Sequence, residues 1–439
     1  MQACRSGQTR MRPIAGFVAL VFAAAGFTQP LSAQITEPTD GMVCTSGPNF
    51  DLTTRTGYVS LPDSNTVYMW GFSAGSNPFQ HPGPVLCVNQ GDIVRVNLVN
   101  TLTQDVSITF PGQENVTVNG EPAQPQFDGT GALTSLTNVA PKNGGTVTYE
   151  FVANRPGTFV YQSGTNPAIQ ARMGLFGVLV VRPLAGEHYV YNDSTASHKS
   201  EFNTGVTGMN AGEFLVLQSE IDPQLHTAIE QGQPVNRADY HPRYWLINGR
   251  AFPDTIAPNS TAWLPNQPYG ALAHIQPNHA TNPLPYLQRV VNVSSQPLSF
   301  YPFGKKALVI GQDGQPARGP GGSDLSYERF ALAVAPGQTY DALFRFEDRE
   351  GYDQTSNPVP VTEPSLLNLS VGMFYSGSPY LGDTSRLPVG IGSLNQCGEY
   401  YFMAHNLALF KTAAWGVSLG GAVTFLLVDP PIPNNCPVR

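Results

Sequence analysis

The side chains that could hold a metal ion or carry electrons are few here, and their spacing limits what they can do. The chain has eight histidines and five cysteines in 439 residues. Two imidazoles two residues apart on a strand point to one side and can share a metal, because the strand period is two. His81, His188, His198, His226, His241, His274, His279 and His405 contain no such pair. His274 and His279 come nearest, flanking Ile275-Gln276-Pro277-Asn278 in an expected loop. A thiolate metal centre needs a cysteine beside histidines, and no cysteine has a histidine within five positions.

The cysteines read better as disulfides. Residues 1 to 12 carry three arginines and no acid, an apolar run follows from Ile14, and Leu31-Ser32-Ala33 is a small-residue cleavage site before Gln34. This is the pattern of a Sec-type signal peptide over residues 1–33, with neither a twin-arginine pair nor a lipid-anchor cysteine, and it predicts a periplasmic or extracellular protein with no membrane insertion after cleavage. Cys4 leaves with that segment. Cys44, Cys87, Cys397 and Cys436 remain, an even count that suits two bridges in an oxidising compartment. Three pairings are open; the local one, Cys44 with Cys87 and Cys397 with Cys436, keeps each bridge within one half.

Other constellations offer little. The glycines of 311–322 follow a strand, with no Lys-Ser/Thr and no helix after them, so a phosphate cradle is not expected. Glu220 and Asp222 could suggest an acid pair, but Asp222 beside Pro223 reads as the start of a turn. The tyrosines of 240–244 and 375–380 read mainly as packing and turn anchors. No Ser-His-Asp arrangement is found. A net charge of -8 without a basic run argues against nucleic acid or an anionic membrane as partner.

The elements that would position these residues are short strands. Charged residues are 12% of the chain, with 44 Gly and 39 Pro, the balance of many strands and many turns. One plan occurs twice. In the first stretch Gly91-Asp92 opens the alternating Ile93-Val94-Arg95-Val96-Asn97-Leu98, Pro141-Lys142-Asn143-Gly144-Gly145 turns into Thr146 to Phe151, Pro156-Gly157 turns into Thr158-Phe159-Val160-Tyr161, and Gly177-Val178-Leu179-Val180-Val181 closes the unit. The second has strands at 213–220 and 288–293, the turn Ala335-Pro336-Gly337-Gln338, a strand at 339–346 and a last one at 422–428. An all-β protein of two tandem Greek-key sandwiches is expected: domain 1 over 34–183, a polar linker at 184–212, domain 2 over 213–430 with an inserted loop at about 348–396, and a tail at 431–439.

The motifs Pro82-Gly83-Pro84, Gly157-Thr158-Phe159-Val160-Tyr161, Met173-Gly174-Leu175-Phe176-Gly177, Tyr244-Trp245-Leu246-Ile247-Asn248-Gly249 and Pro336-Gly337-Gln338-Thr339-Tyr340-Asp341 come in one order. In that order the chain resembles a multicopper oxidase of the large bacterial secreted type, which implies two cupredoxin-like domains. The resemblance also implies histidine ligands, and their positions are mostly replaced. Ile108-Thr109-Phe110-Pro111-Gly112 has none; a Tyr-His-x-His run falls on Tyr161, Gln162, Ser163 and Gly164; four further ligand positions hold Leu298, Tyr301, Phe303 and Lys306. Near the C-terminus His405 is kept as a residual candidate and its partner is Leu407. The resemblance therefore points to a degenerate copy with no cofactor, serving as a binding or scaffold module in or beyond the cell envelope, whose partner is a protein, a surface polymer or a second copy. The alternative is a copper-binding oxidoreductase whose sites are completed unusually or by a partner.

Overall fold

A computed structural model describes residues 40–193, 200–206, 210–275, 284–301, 306–346 and 399–428, with short strand segments at 366–367, 380–381 and 392–393. The expected export segment and cleavage site, Cys397, Cys436 and most of 348–396 lie outside the described residues.

The first half builds two sheets. β1 (Asn49–Ser60), β2 (Thr66–Ala74), β4 (Ile93–Asn100) and β5 (Gly145–Val152) form one, in the order β2-β1-β4-β5, with β1 parallel to β4 and the other pairs antiparallel. β3 (Val85–Asn89), β6 (Gly157–Gln162) and β7 (Phe176–Arg182) form the other, with β7 central, parallel to β3 and antiparallel to β6. Alternation along β4 buries Val94, Val96 and Leu98 against Phe159, Tyr161, Leu179 and Val181 of the facing sheet. Each such aliphatic or aromatic side chain withdrawn from water contributes about 1.5–3 kcal/mol. The predicted Cys44–Cys87 bridge is present and ties the edge segment 45–46 to β3.

The second half repeats the arrangement. β8 (Glu213–Ile221), β9 (Tyr244–Ile247), β10 (Tyr286–Asn292), β12 (Ala307–Gln312) and β14 (Thr339–Phe344) make one sheet, ordered β9-β8-β10-β14-β12. β11 (Leu298–Tyr301), β13 (Leu332–Val334), β15 (Glu399–Asn406) and β16 (Val423–Val428) make the other, ordered β16-β15-β11-β13. One asparagine device appears in both halves. At the end of β4, Asn100 Nδ2 donates to the Gln104 and Ala140 carbonyls at 2.7 and 3.0 Å, while its Oδ1 accepts from Leu102 N at 3.0 Å. At the end of β10, Asn292 Nδ2 donates to Gln296 and Val334 at 2.8 Å each, and its Oδ1 accepts from Ser294 N at 2.9 Å. In each half a glycine at positive φ, Gly144 or Gly337, returns its N–H to that asparagine's carbonyl. Only a residue without a Cβ adopts that backbone freely.

The halves join through a core. Every residue from Phe176 to Val181 is buried because Leu179 and Val181 face the first core, while Val178 and Val180 face Leu215, Leu217 and Val291 of the second half. The described residues of both halves accordingly fall in one compact unit. The stretch read as a polar linker contributes to it, since Val190, Tyr191 and Phe202 are buried against Leu287 and Leu343. Its polar composition hid three well-spaced apolar anchors. Asp222 differs as well. It caps the helix α1 (Pro223–Glu230), its Oδ1 accepting from Gln224 N at 2.9 Å with Pro223 in the first turn, so a helix stands where a turn was expected.

Candidate functional site

The positions that the resemblance assigns to ligands in the first half do come together. Thr109 and Gln162 form an antiparallel bridge: Thr109 N donates to Gln162 O at 2.8 Å, and Gln162 N donates back to Thr109 O at 3.2 Å. Gly164 follows, and a Cβ placed there would lie 2.6 Å from the γ-methyl of Thr109 and 3.1 Å from Ser107 Oγ. Behind it lies a buried hydroxyl cluster. Ser107, Ser135 and Thr165 are joined at 2.9 to 3.0 Å, and Ser163 Oγ donates to Gln170 Oε1 at 2.6 Å. Hydroxyls and an amide satisfy one another there, with no imidazole to take a proton and no thiolate to pass an electron.

The second-half positions separate. Leu298 is buried among Val290, Phe300, Leu332 and Val334. Lys306 sits at the surface, its Nζ 2.9 Å from Glu328 Oε2. Leu407 is 48% exposed, so its side chain leaves the sheet that carries His405. Tyr301 stands opposite His405 across the β11–β15 pair, the rings edge to face at 5.6 Å. His405 is half-buried, with Nδ1 2.7 Å from the Asn406 carbonyl. Phe303 lies outside the described residues, as does His279, while His274 Nδ1 is 2.8 Å from Asp40 Oδ2. Among the described residues no group of three or more His, Cys, Asp or Glu is arranged to hold a metal ion.

These side chains do not fit the copper ions that the resemblance implies. The Thr109 methyl fills the space a side chain at 164 would need, aliphatic carbon stands at 298 and 407, and the cation at 306 is already paired. Copper centres are built from imidazole and soft sulfur donors.

Two titratable clusters escaped the sequence reading. At the junction of the halves Arg182 clamps Glu213 at 2.9 and 2.6 Å, and Arg289, fully buried, pairs with the same Glu213 and with Asp341 Oδ1 at 3.1 Å. Thr158 Oγ1 and Tyr191 Oη donate to Asp341 at 2.6 and 2.7 Å. Burial pushes the Glu213 carboxyl up, but the two guanidiniums outweigh it and hold its pKa at about 2. The second cluster is a pair of buried imidazoles. His81 has no hydrogen-bond partner on either ring nitrogen and packs edge-on to Phe176, while His226 holds Nδ1 2.7 Å from the Tyr68 carbonyl. Burial lowers both, to about 3 for His81 and about 4 for His226, so both are neutral at pH 7. The apolar runs of β8 and β10 could have flagged Glu213 and Arg289 as charges on buried strands; nothing local marks the histidines.

Comparison with known proteins gives the lineage. The family described as Multicopper oxidase matches residues 57–186. An L-ascorbate oxidase of Cucurbita maxima is 35% identical over 127 residues, 29% of this chain and 19% of that protein. Laccase-25 of Oryza sativa subsp. japonica is 28% identical over 273 residues, 60% of this chain and 38% of that protein. The chain thus spans about a fifth to two fifths of these curated relatives. Among solved structures, the Blue Copper Oxidase from Nitrosomonas europaea superposes with a TM-score of 0.54 at 17% identity, covering 87% of this chain and 85% of that one. A structure described as Multicopper Oxidase mgLAC gives 0.53 at 17%, covering 89% and 87%. Residues 57–186 are a multicopper-oxidase family domain, set in a mostly-β, cupredoxin-like fold that spans the described chain.

Proposed function

We propose that this chain is an exported relative of the copper oxidases that works as a binding or scaffold module in the cell envelope or outside it, built from two cupredoxin-like halves and holding no full copper cluster. One observation carries the reading: the Thr109 methyl stands 2.6 Å from the Cβ position of Gly164, so the place of a ligand side chain is taken by packing. The partner is a protein, a surface polymer or a second copy of the chain. Location in the periplasm or outside the cell follows from the expected signal peptide and agrees with the Cys44–Cys87 bridge. No described helix is long and apolar enough to cross a membrane.

The second reading is a copper-dependent oxidoreductase whose sites are completed unusually or by a partner chain. The family match and the named relatives favour it over the first; the side chains at the ligand positions weigh against it. Protein produced with copper present and exhaustively dialysed separates the two. Less than one copper per ten chains supports the scaffold reading at about that threshold. Stoichiometric copper with the intense blue band of a copper–thiolate centre overturns it.

A further inference from the structure

Away from the ligand positions, a cleft of about 140 Å³ opens between α1 and the loop that follows it, and Arg172 of the first half closes one side. Its floor is apolar, formed by Leu225, Val235 and Pro234. Four charged side chains line it, Arg172, Arg237, Asp222 and Asp239. Each is held in place by a neutral group. The Arg172 guanidinium lies 3.8 Å above the centre of the Tyr240 ring, and Arg237 Nη2 donates to Asn166 Oδ1 at 2.8 Å. Asp222 accepts the backbone N–H groups of Gln224 and His241 at 2.9 and 2.7 Å, and Asp239 Oδ2 accepts from Asn236 Nδ2 at 2.8 Å. Among the described residues none of the four is joined in an ion pair.

Two positive and two negative groups around one small space set the chemistry of what fits. A simple anion meets two arginines and two carboxylates, so attraction and repulsion oppose each other; a simple cation fares the same. A ligand carrying both charges answers both pairs, as charge-assisted hydrogen bonds to guanidinium and carboxylate are among the strong polar contacts. The volume is well below the ~300 Å³ at which drug-sized pockets begin. The apolar floor provides for a short hydrocarbon side chain. We propose that this cleft binds a small zwitterion with an apolar body, of the α-amino acid class, with its carboxylate on Arg172 and Arg237, its ammonium toward Asp239 and Asp222, and its side chain on Leu225 and Val235. The proposal is independent of whether the chain binds copper.

Calorimetric titration of the full mature protein tests it, with L-leucine as the probe and 4-methylpentanoate and isoamylamine as analogues that each keep one of its charges. Arg237 and Asp239 are exposed, so Arg237→Gln and Asp239→Asn leave the fold intact, which circular dichroism checks. Saturable leucine binding is expected, weakened about tenfold or more by each variant and by loss of either ligand charge. Absence of saturable heat with leucine up to about 50 mM overturns the proposal, since weaker binding is not recognition. 4-Methylpentanoate or isoamylamine binding as tightly as leucine, or both variants binding leucine unchanged, overturns it equally.

Discussion

The γ-methyl of Thr109 lies 2.6 Å from the point where a Cβ on Gly164 would stand. The glycine is there for closeness, since its neighbour across the bridge already occupies the volume of a side chain. Adding a methyl overpacks the site. Gly164→Ala is expected to cost about 1–3 kcal/mol. Thr109→Ser, which removes the opposing methyl, should recover most of that in the double variant. Urea denaturation of the four proteins in the cycle measures the coupling, and simple additivity would show that the two side chains do not compete.

The paired asparagines make a second prediction. Asn100 and Asn292 each tie down two carbonyls and one N–H at a strand end. Replacement by alanine strands those buried groups, so N100A and N292A should each lose about 2–4 kcal/mol. A large effect in one half and none in the other would mean that the shared geometry carries unequal strain.

At the junction of the halves, Arg289 is fully buried between two carboxylates. Removing one partner of a buried pair leaves an uncompensated charge, so Arg289→Met should cost about 3–5 kcal/mol. The combined variant R289M/D341N, which leaves Glu213 with Arg182, should be less damaged than R289M alone. Thermal unfolding at neutral pH ranks them, and the opposite order would sink the account.

Acid should destabilise the protein in two stages. His81 and His226 have folded-state values of about 3 and about 4, below the ordinary histidine value of 6.5. The unfolded chain therefore takes up protons first. Their stabilising contribution is complete above about pH 6.5 and falls by about 1.4 kcal/mol per pH unit for each ring as pH drops toward the folded values. Glu213, held at about 2, adds a loss that begins only below the usual carboxylate value of 4.5. A plot of melting temperature against pH should slope from 6.5 downward, and His81→Leu should reduce that slope from 6.5 to about 3, leaving the shares of His226 and, below 4.5, of Glu213.

The Cys44–Cys87 bridge spans 43 residues. On the chain-entropy view its reduction costs about 4 kcal/mol. Denaturation of a Cys44→Ala/Cys87→Ala variant beside the oxidised parent reads this directly.

Much of this was legible in local pattern. The alternation of Ile93 to Leu98 and the turns at Asn143-Gly144 and Pro336-Gly337 depend on neighbours in sequence, so strands and turns could be read from them, while the cysteine count pointed to disulfides and left three pairings open. The empty ligand positions were visible too, because a missing imidazole is a matter of residue type. The closeness of Thr109 to Gly164 was not, nor was the burial of both faces of β7, the pairing of Glu213 with Arg182 and Arg289, or the cleft that Arg172 shares with Arg237. Each joins segments that only the packing of sheets brings together. A strand's period tells which side chains share a face, while what that face meets is decided by the energy of burying it against another part of the chain.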